Sequence, residues 1–451
     1  MDFRSALDYL NSFVNFEAKP AEAYAPERFS LGRVRRLLER LGNPQGQYAN
    51  VHVAGTKGKG SLAAMVESVL RAAGHSTGLF TSPHLQDFCE RIQVVRKMIP
   101  RDSLAALVAE LRSHIDATPD ITFYEISAVL ALEWFARQGV EIAVIEVGLG
   151  GRLDATNVIE PVVCAITPIS FDHVELLGDT IESIAGEKAG IIKSRVPVVV
   201  APQPGAAQSI LQQRADTVGA PLIDVGAEWG WRCDRYSASG QQFHLWPAAR
   251  PQQESTYRLP LIGAHQAQNA AVAVALVQQL REQGWRISQR AIAQGLKTVQ
   301  WPARCQVLPG EPPVMLDCAH NRASAKHLAE TLQDYFPGLP KVLVFGAMCD
   351  KDVSGMFAEL LPACSAAIMT SIEAPRAMRP RDLVQAAEKY DCTASQANDM
   401  LSALAQAKNA ATPAGLVIVT GSVALAGVAH AALTKSSTPA SIIATPNRHD
   451  H

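Results

Sequence analysis

Apolar and polar positions along the chain change period repeatedly, and the changes mark out alternating strands and helices. Within residues 51–74, VHVAGTKGKGSLAAMVESVLRAAG, Val51 and Val53 alternate as in a strand. Leu62, Met65, Val66, Val69, Leu70 and Ala73 then recur at helical spacing, which predicts a helix with one buried face, stopped at Gly74. Upstream, residues 1–47 read as two amphipathic stretches separated by a proline-marked loop (Lys19-Pro20, Ala25-Pro26); Leu31, Val34, Leu37, Leu38 and Leu41 trace the second, ended by Gly42 and Pro44. Downstream, Thr77–Thr81 is a short strand and residues 102–115 and 124–138 are helical. The runs 141–145 and 162–166 lack polar alternation, as strands buried on both faces of a parallel sheet do. Residues 180–193 form a helix with the stripe Ile181, Ile184, Ala185, Ala189 and Ile192, and Lys188 falls on that stripe. Residues 225–262 read as short antiparallel strands, and Ala264–Gln283 as a helix stopped at Gly284.

The same alternation resumes later, with strand-like runs at 314–316, 341–345, 366–370 and 416–420 separated by helical stretches. The expected organisation is an N-terminal domain over 1–298, a C-terminal α/β domain over 299–434 and a flexible, small and polar tail over 435–451. No fixed-period repeat is present.

Composition narrows the class. A chain of 451 residues with 48% hydrophobic and 19% charged residues is that of a soluble globular protein with large cores. A net charge of −2 gives no basic footprint, so no nucleic-acid partner is expected; Arg33, Arg35, Arg36 and Arg40 on one early helix read as a solvated face. The eight cysteines are scattered without a C-x-x-C pair, which argues against a zinc knuckle or a disulfide framework and suits a reducing compartment. The N-terminus lacks the apolar core of a signal peptide, and no apolar run is long enough to span a membrane, so the expected location is cytoplasmic.

Chemistry enters at the period change in 51–74. Gly55, Gly58 and Gly60 let the backbone turn its N–H groups towards an anion, Lys59 adds a point charge, and the helix that follows presents its N-terminus. The stretch is a near miss to the Walker A pattern: Val53 stands at the place of the first glycine and Gly60 at that of the Ser/Thr. Ser82, Glu146 and His173 each follow a predicted strand, at the edge where open parallel sheets gather ligands. A carboxylate and a hydroxyl there suit magnesium held on a phosphate. Taken alone, Glu146 is equally a solvated strand end, and His173 is more often a satisfied loop histidine. Lys188 is either a snorkelling lysine or an inward-facing functional one. Gly148-Leu149-Gly150-Gly151 lacks the dinucleotide spacing and runs into Arg152-Leu153-Asp154 rather than a helix, which disfavours a Rossmann cofactor. Asp317-Cys318-Ala319-His320-Asn321 is a second strand-end site or an N-cap, Asn321 and Ser324 being good caps.

Taken in order, AGTKGKGS (54–61), TSPHL (81–85), ERI (90–92), EVGLGGRLDATN (146–157), FDHVELLG (171–178), EKAGIIK (187–193), HQAQNA (265–270), WPAR (301–304), DCAHN (317–321) and DKD (350–352) resemble the dihydrofolate synthase/folylpolyglutamate synthase enzymes of the Mur ligase superfamily, from Tyr9 to about Ala426. The resemblance implies an α/β fold: a P-loop-type, mostly parallel central sheet domain with a small β-rich part, then a second, Rossmann-like α/β domain. It also implies an ATP-dependent ligase that is bifunctional, with a ligase limited to polyglutamate extension or another Mur-type amino-acid ligase as the alternatives. In that reaction the carboxylate of dihydropteroate or a reduced folate takes the γ-phosphoryl group of ATP, and the amine of L-glutamate displaces phosphate from the acyl phosphate.

By the same resemblance Gly55, Thr56, Lys57, Gly58, Lys59, Gly60 and Ser61 hold the ATP phosphates, and Asn269, Arg304, Asp317 and His320 contact the nucleotide. Ser82, Glu146, His173 and Lys188 serve two Mg2+ ions, with Lys188 carbamylated; Lys59, His173 and Lys188 are the catalytic set. Thr122, Phe123, Tyr124, Glu125, Arg152, Leu153, Asp154 and Ala155 line the pterin-bearing substrate site. The two domains are expected to close on the nucleotide and the protein to act as a monomer. The chain departs from the family pattern at Cys89, where Asn is usual, at Val95-Arg96, where Asn-Gly is common, at Cys318, where Gly is usual, and at Lys57, where many relatives have Asn.

Overall fold

Short apolar strands followed by turns and helices build two units, Met1–Pro302 with Glu330–Pro337 and Ala303–Ala329 with Gly338 onward. In the computed structural model, residues 1–16, 30–372, 374 and 376–435 are described. The proline-marked loop at Lys19-Pro20 and Ala25-Pro26 and the tail after Lys435 lie outside the described residues.

The first unit is organised by β1 (Ala49–Ala54), β2 (Thr77–Phe80), β3 (Ile92–Val94), β4 (Lys97–Met98), β5 (Ile142–Glu146), β6 (Val163–Ile166), β7 (Val198–Val200) and β8 (Leu222–Asp224). They form one sheet in the order β4-β3-β2-β5-β1-β6-β7-β8. Pairing is parallel from β2 to β8, and antiparallel only where β3 joins β2 and β4. Every residue of β5 and β6 is buried, as their unbroken apolar runs predict. Because β1 lies between β5 and β6, the turns leaving β2, β5, β1 and β6 emerge side by side at the carboxyl edge of the sheet.

The helix Lys59–Ala72 departs from its predicted single buried face, since every residue from Ser61 to Leu70 is buried. One side packs on the sheet and the other on the helices Ala264–Glu282 and Gln289–Thr298, and the Ser68 hydroxyl donates to the Gly295 carbonyl at 2.8 Å. Buried polar side chains on this helix find partners inside the protein: Glu67 Oε1 accepts from Thr77 at 2.8 Å and from Arg71 at 3.0 Å. Gly74 takes φ +95°, the left-handed backbone that ends a helix.

The 225–262 region contains β9 (Trp229–Ser237), β10 (Gly240–Pro247) and β11 (Ser255–Leu259), an antiparallel sheet whose Phe243, Leu245, Tyr257 and Leu259 face the core. The helix predicted over 180–193 is shorter, Ile181–Ala189, because Gly190 and the turn after it redirect the chain.

The second unit holds β12 (Gln306–Leu308), β13 (Val314–Leu316), β14 (Lys341–Phe345), β15 (Ala366–Met369), β16 (Thr393–Gln396) and β17 (Leu416–Thr420), in the order β12-β13-β17-β14-β15-β16. All neighbours are parallel except β12 and β13. The buried strands β13, β14 and β17 match the apolar runs, whereas β12 and β16 sit at the two edges and carry partly or fully exposed residues that no apolar run announces. The last described helix, Val423–Lys435, extends one residue into the stretch expected as tail.

Candidate active site

The glycine-rich turn after β1 is fastened from one side. The N–H groups of Thr56 and Lys57 donate to the Pro168 carbonyl at 3.1 and 3.3 Å, and the Thr56 hydroxyl exchanges bonds with Ser170, which follows β6. Gly58 then starts the helix in a left-handed conformation, φ +89°, where a Cβ would lie 2.6 Å from Asn269 Oδ1. Only glycine meets both conditions without displacing Asn269. No side chain caps this helix, so its first N–H groups remain available at the positive end of the helix dipole, with Lys59 at its first position. Ser61 lies just inside, where Gln266 Nε2 donates to its hydroxyl at 3.3 Å and Asn269 Nδ2 donates to Gln266 Oε1 at 3.2 Å. The structure thereby brings Asn269 to the cradle across some two hundred residues of sequence.

The neighbouring strand ends add charge. Glu146 closes β5, is 5% exposed, and its Oε2 accepts from the Ser82 N–H at 3.2 Å. The same oxygen would lie 3.4 Å from a Cβ on Gly60, which sets this carboxylate against the cradle. After β6, Asp172 pairs with Lys57 at 2.7 Å, and His173 Nε2 is 4.0 Å from Asp172 Oδ1. The His173 side chain is 52% exposed and the residue takes φ +50° at the start of the short helix Val174–Leu177. Strand ends β2, β5, β1 and β6 therefore bring Ser82, Glu146, the cradle and the Asp172-His173 turn to one edge.

Lys188 is only 4% exposed, which excludes the snorkelling alternative. Burial, and next the neighbouring Lys59 ammonium, push its amine down to about 7, against the pull of Asp172 and Asp154. The 148–157 loop holds its helix in place. A Cβ on Gly151 would lie 2.7 Å from the Glu187 carbonyl, Arg152 pairs with Glu187 at 2.7 Å, and Asn157 Nδ2 donates to the Arg152 carbonyl at 2.9 Å. Asp154 organises the loop from inside. It accepts from the N–H groups of Gly148, Leu149 and Thr156 at 3.1, 2.9 and 3.0 Å, while burial pushes its carboxyl above the usual range.

In the second unit, Asp317 follows β13 and accepts from the N–H groups of Cys305 and Ala319 at 3.0 and 2.8 Å. Arg304 immediately precedes Cys305, so the same fastening fixes the backbone beside it. His320 Nδ1 lies 2.9 Å from the Cys318 carbonyl. Asn321 Oδ1 accepts from Ser324 N–H at 3.0 Å at the start of the helix Arg322–Tyr335, so the capping reading of this motif holds for Asn321. Burial pushes the Cys318 thiol up to about 12 and that of Cys305 well above its ordinary value, which keeps both neutral.

Two family models match the chain: Mur ligase middle domain over residues 53–277 and Mur ligase, glutamate ligase domain over 303–423. The chain is 34% identical to the dihydrofolate synthase/folylpolyglutamate synthase of Bacillus subtilis (strain 168), covering 93% of this chain and 96% of that one. The chain belongs to the dihydrofolate synthase/folylpolyglutamate synthase family. It is also 36% identical, over 97% of its length, to a probable bifunctional folylpolyglutamate synthase/dihydropteroate synthase of Haloferax volcanii, of whose length it spans about half, 51%. Among solved structures, that of E. coli FolC in complex with DHPP and ADP superposes with a TM-score of 0.84 at 29% identity, covering 97% of this chain and 99% of that one.

Membership makes the chain an ATP-dependent acid–amino-acid ligase. The remaining expected substrate residues of this ligase carry local structure. Thr122 and Glu125 form a capping box at the start of the helix Phe123–Arg137, and Phe123 packs edge-on against Phe88 with ring centroids 5.7 Å apart. Tyr124 reaches Asp154 Oδ1 at 3.4 Å and covers Gly148, linking this helix to the 148–157 loop. Leu153 is half-buried and Ala155 buried at the turn that Asp154 caps.

Sequence pattern missed Arg33, which grips Glu125 through Nε and Nη2 at 3.2 and 2.9 Å instead of lying on a solvated face; Arg35, Arg36 and Arg40 do remain exposed. An apolar helix stripe with an arginine beside it was the only available signal.

No helix among the described residues is long and apolar enough to cross a membrane. Nor do three His, Cys, Asp or Glu side chains cluster as a metal cage among them. Magnesium does not need such a cage, because it retains water and phosphate oxygens and asks the protein for one or two ligands. The buried Glu146 carboxylate set against an uncapped helix N-terminus fits that demand.

Proposed function

We propose that this ligase joins the carboxylate of dihydropteroate, of a reduced folate, or of both in turn, to the amine of L-glutamate, through an acyl phosphate made from ATP. The observation that carries the reading is the placement of the Glu146 carboxylate against Gly60, at the uncapped start of the Lys59–Ala72 helix. That pairing suits a nucleotide phosphate chain with a divalent cation on it, and family membership supplies the reaction class.

In this proposal the Gly55–Ser61 turn holds the phosphates of ATP, the uncapped N–H groups at the start of the Lys59–Ala72 helix and the Lys59 ammonium orienting the β- and γ-phosphates. A substrate carboxylate oxygen attacks the γ-phosphorus and ADP leaves; the glutamate amine then attacks the acyl carbon and phosphate leaves. Ser82, Glu146 and His173 are the proposed protein holders of magnesium, which when bound would offset charge on the transferring phosphoryl group. Lys188 is proposed to act as its carbamate. An ammonium buried beside Lys59 would repel the metal, whereas a carbamate anion there attracts it. Asn269, Arg304, Asp317 and His320 are proposed nucleotide contacts.

Tyr124, Thr122, Phe123, Glu125 and the 152–155 turn are proposed to shape the pterin site, where the fixed ring of Tyr124 over Gly148 offers a stacking wall. A functional N-terminal domain to residue 298 and a C-terminal one from 299, set four residues ahead of the division of the compact units after Pro302, a monomeric state and the absence of nucleic-acid or membrane partners belong to the same proposal.

Mass spectrometry of products from purified protein with ATP, magnesium and L-glutamate, supplied separately with dihydropteroate and tetrahydrofolate, tests it. A gain of one glutamyl unit on both acceptors supports the bifunctional reading. Gain on tetrahydrofolate alone limits the enzyme to polyglutamate extension, and gain on neither overturns the substrate assignment.

A further inference from the structure

Among the buried side-chain donors of the described residues that lack a hydrogen-bond partner are Nε1 of Trp301 and Nη1 of Arg96. They belong to one assembly. Arg96 donates through Nη2 to the Gln300 carbonyl, and its guanidinium lies 5.5 Å from the centroid of the Trp301 ring. The indole in turn borders the cradle. A Cβ on Gly60 would fall 2.7 Å from Trp301 Cζ2 and 3.2 Å from Cε2, the carbon that bears Nε1, and 3.4 Å from Glu146 Oε2. The nitrogen-bearing edge of the indole and the Glu146 carboxylate therefore flank the same residue in the first turn of the Lys59–Ala72 helix.

Arg96 occupies a costly backbone position to do this. It takes φ +65° and Val95 takes φ +48° in the turn between β3 and β4, a left-handed pair where Asn-Gly would be at ease. A long cationic side chain at such a turn is accounted for by what it holds, the Gln300-Trp301 segment. Indole N–H is a donor only, and leaving it buried without an acceptor is unfavourable, so the orphaned Nε1 calls for an acceptor arriving from outside the chain. Beside an anion cradle that acceptor is an anionic oxygen.

We propose that Trp301 is a further nucleotide-binding residue of this ligase, its Nε1–H donating to an anionic oxygen held at the cradle, and that Arg96 is the positioning residue that holds the indole there. The proposal rests on the reading of the cradle as a phosphate site. Calorimetric titration of the full chain with ADP and magnesium separates the two, using Trp301→Phe, which keeps a ring but loses the N–H, Arg96→Gly, the double variant, and Lys59→Ala as the control for the cradle. Arg96→Gly relieves the left-handed turn, so a fall in affinity with an unchanged or raised melting temperature marks positioning rather than scaffold loss.

The expected result is a weakening of ADP binding by ~10–100-fold for Trp301→Phe, the size of one hydrogen bond to a charged acceptor. A comparable loss is expected for Arg96→Gly, with the double variant no weaker than the weaker single one. Arg96→Lys, which keeps the charge without the planar stacking face, should fall between. Wild-type affinity in Trp301→Phe, or losses that multiply in the double variant, would overturn the proposal while weakened Lys59→Ala leaves the cradle standing. Wild-type affinity in Lys59→Ala sinks the cradle reading itself, and this proposal with it.

Discussion

Two strand–turn–helix segments in this chain look alike in sequence and differ in how their helices begin. After β1, the helix Lys59–Ala72 starts at a left-handed glycine with no side-chain cap. After β13, the helix Arg322–Tyr335 starts at Asn321, whose Oδ1 accepts from Ser324 N–H at 3.0 Å, with the Ser324 hydroxyl accepting from His320 N–H at 3.2 Å. Capping consumes backbone donors that an anion would otherwise use. The first segment therefore offers its backbone, and the second offers side chains, Asp317 and His320, on a firmly closed turn. A glycine-rich turn and a capped turn are two ways of placing chemistry at a sheet edge, and the presence of a cap tells them apart.

The largest effect that could break this comparison is expected at Lys188, which stands on the side of the uncapped helix. Lys188→Ala should lower kcat by ~10³-fold or more if its carbamate supports the phosphoryl-transfer site. Added short carboxylates should restore part of the rate, and turnover by protein whose intact mass shows an unmodified amine would refute the carbamate. Next, Lys59→Ala should reduce kcat/KM for ATP by ~10²–10³-fold, a loss of electrostatic stabilisation, against about tenfold for His320→Ala. Steady-state kinetics with ATP varied would show it, and the reverse ranking would mean that the second turn, not the first, carries the phosphates.

A pH effect of intermediate size follows from Lys188. Only the neutral amine takes up carbon dioxide, and burial has lowered this amine to about 7 from 10.5. Carbamate content, read by ¹³C signals after labelling with bicarbonate, should drop by up to tenfold per unit as pH falls below about 7. For unmodified protein the sign for stability is the same: the folded state binds its proton less tightly, so the penalty is complete below about 7 and is relieved as pH rises towards 10.5. The smallest effect is expected at the cap. Asn321→Ala should cost about 1 kcal/mol in urea unfolding, with nucleotide affinity changed far less than by Lys59→Ala.

Much of this was legible in the chain itself. The buried strands β1, β5, β6, β13, β14 and β17 follow their apolar runs because a central parallel strand needs apolar side chains on both faces. The edge strands β12 and β16 escaped notice because exposure on an edge removes the apolar signal. The cradle helix was under-read for the opposite reason. Ser61, Glu67 and Ser68 lie off the predicted apolar stripe, yet hydrogen bonds from Gln266, Thr77 and Arg71 and to Gly295 give each a partner inside the protein.

Contacts between remote positions were the least accessible. Nothing local in the sequence couples Arg33 to Glu125, Asn269 to Gly58 or Arg96 to Trp301; folding alone makes those pairs. The motif order pointed to Lys188 as functional, but only its burial beside Lys59 shows why an unmodified ammonium would be unfavourable there.

The central claim is that the uncapped turn holds ATP for an acyl transfer completed by an amine. Simultaneous measurement of ADP, phosphate and glutamylated product, with and without L-glutamate, tests it most directly. The account predicts rapid ADP and phosphate release in equal amounts with amide formation when glutamate is present, and only slow release without it. A stable phosphorylated pterin product, or ATP turnover of equal rate in the absence of any amine, would contradict it.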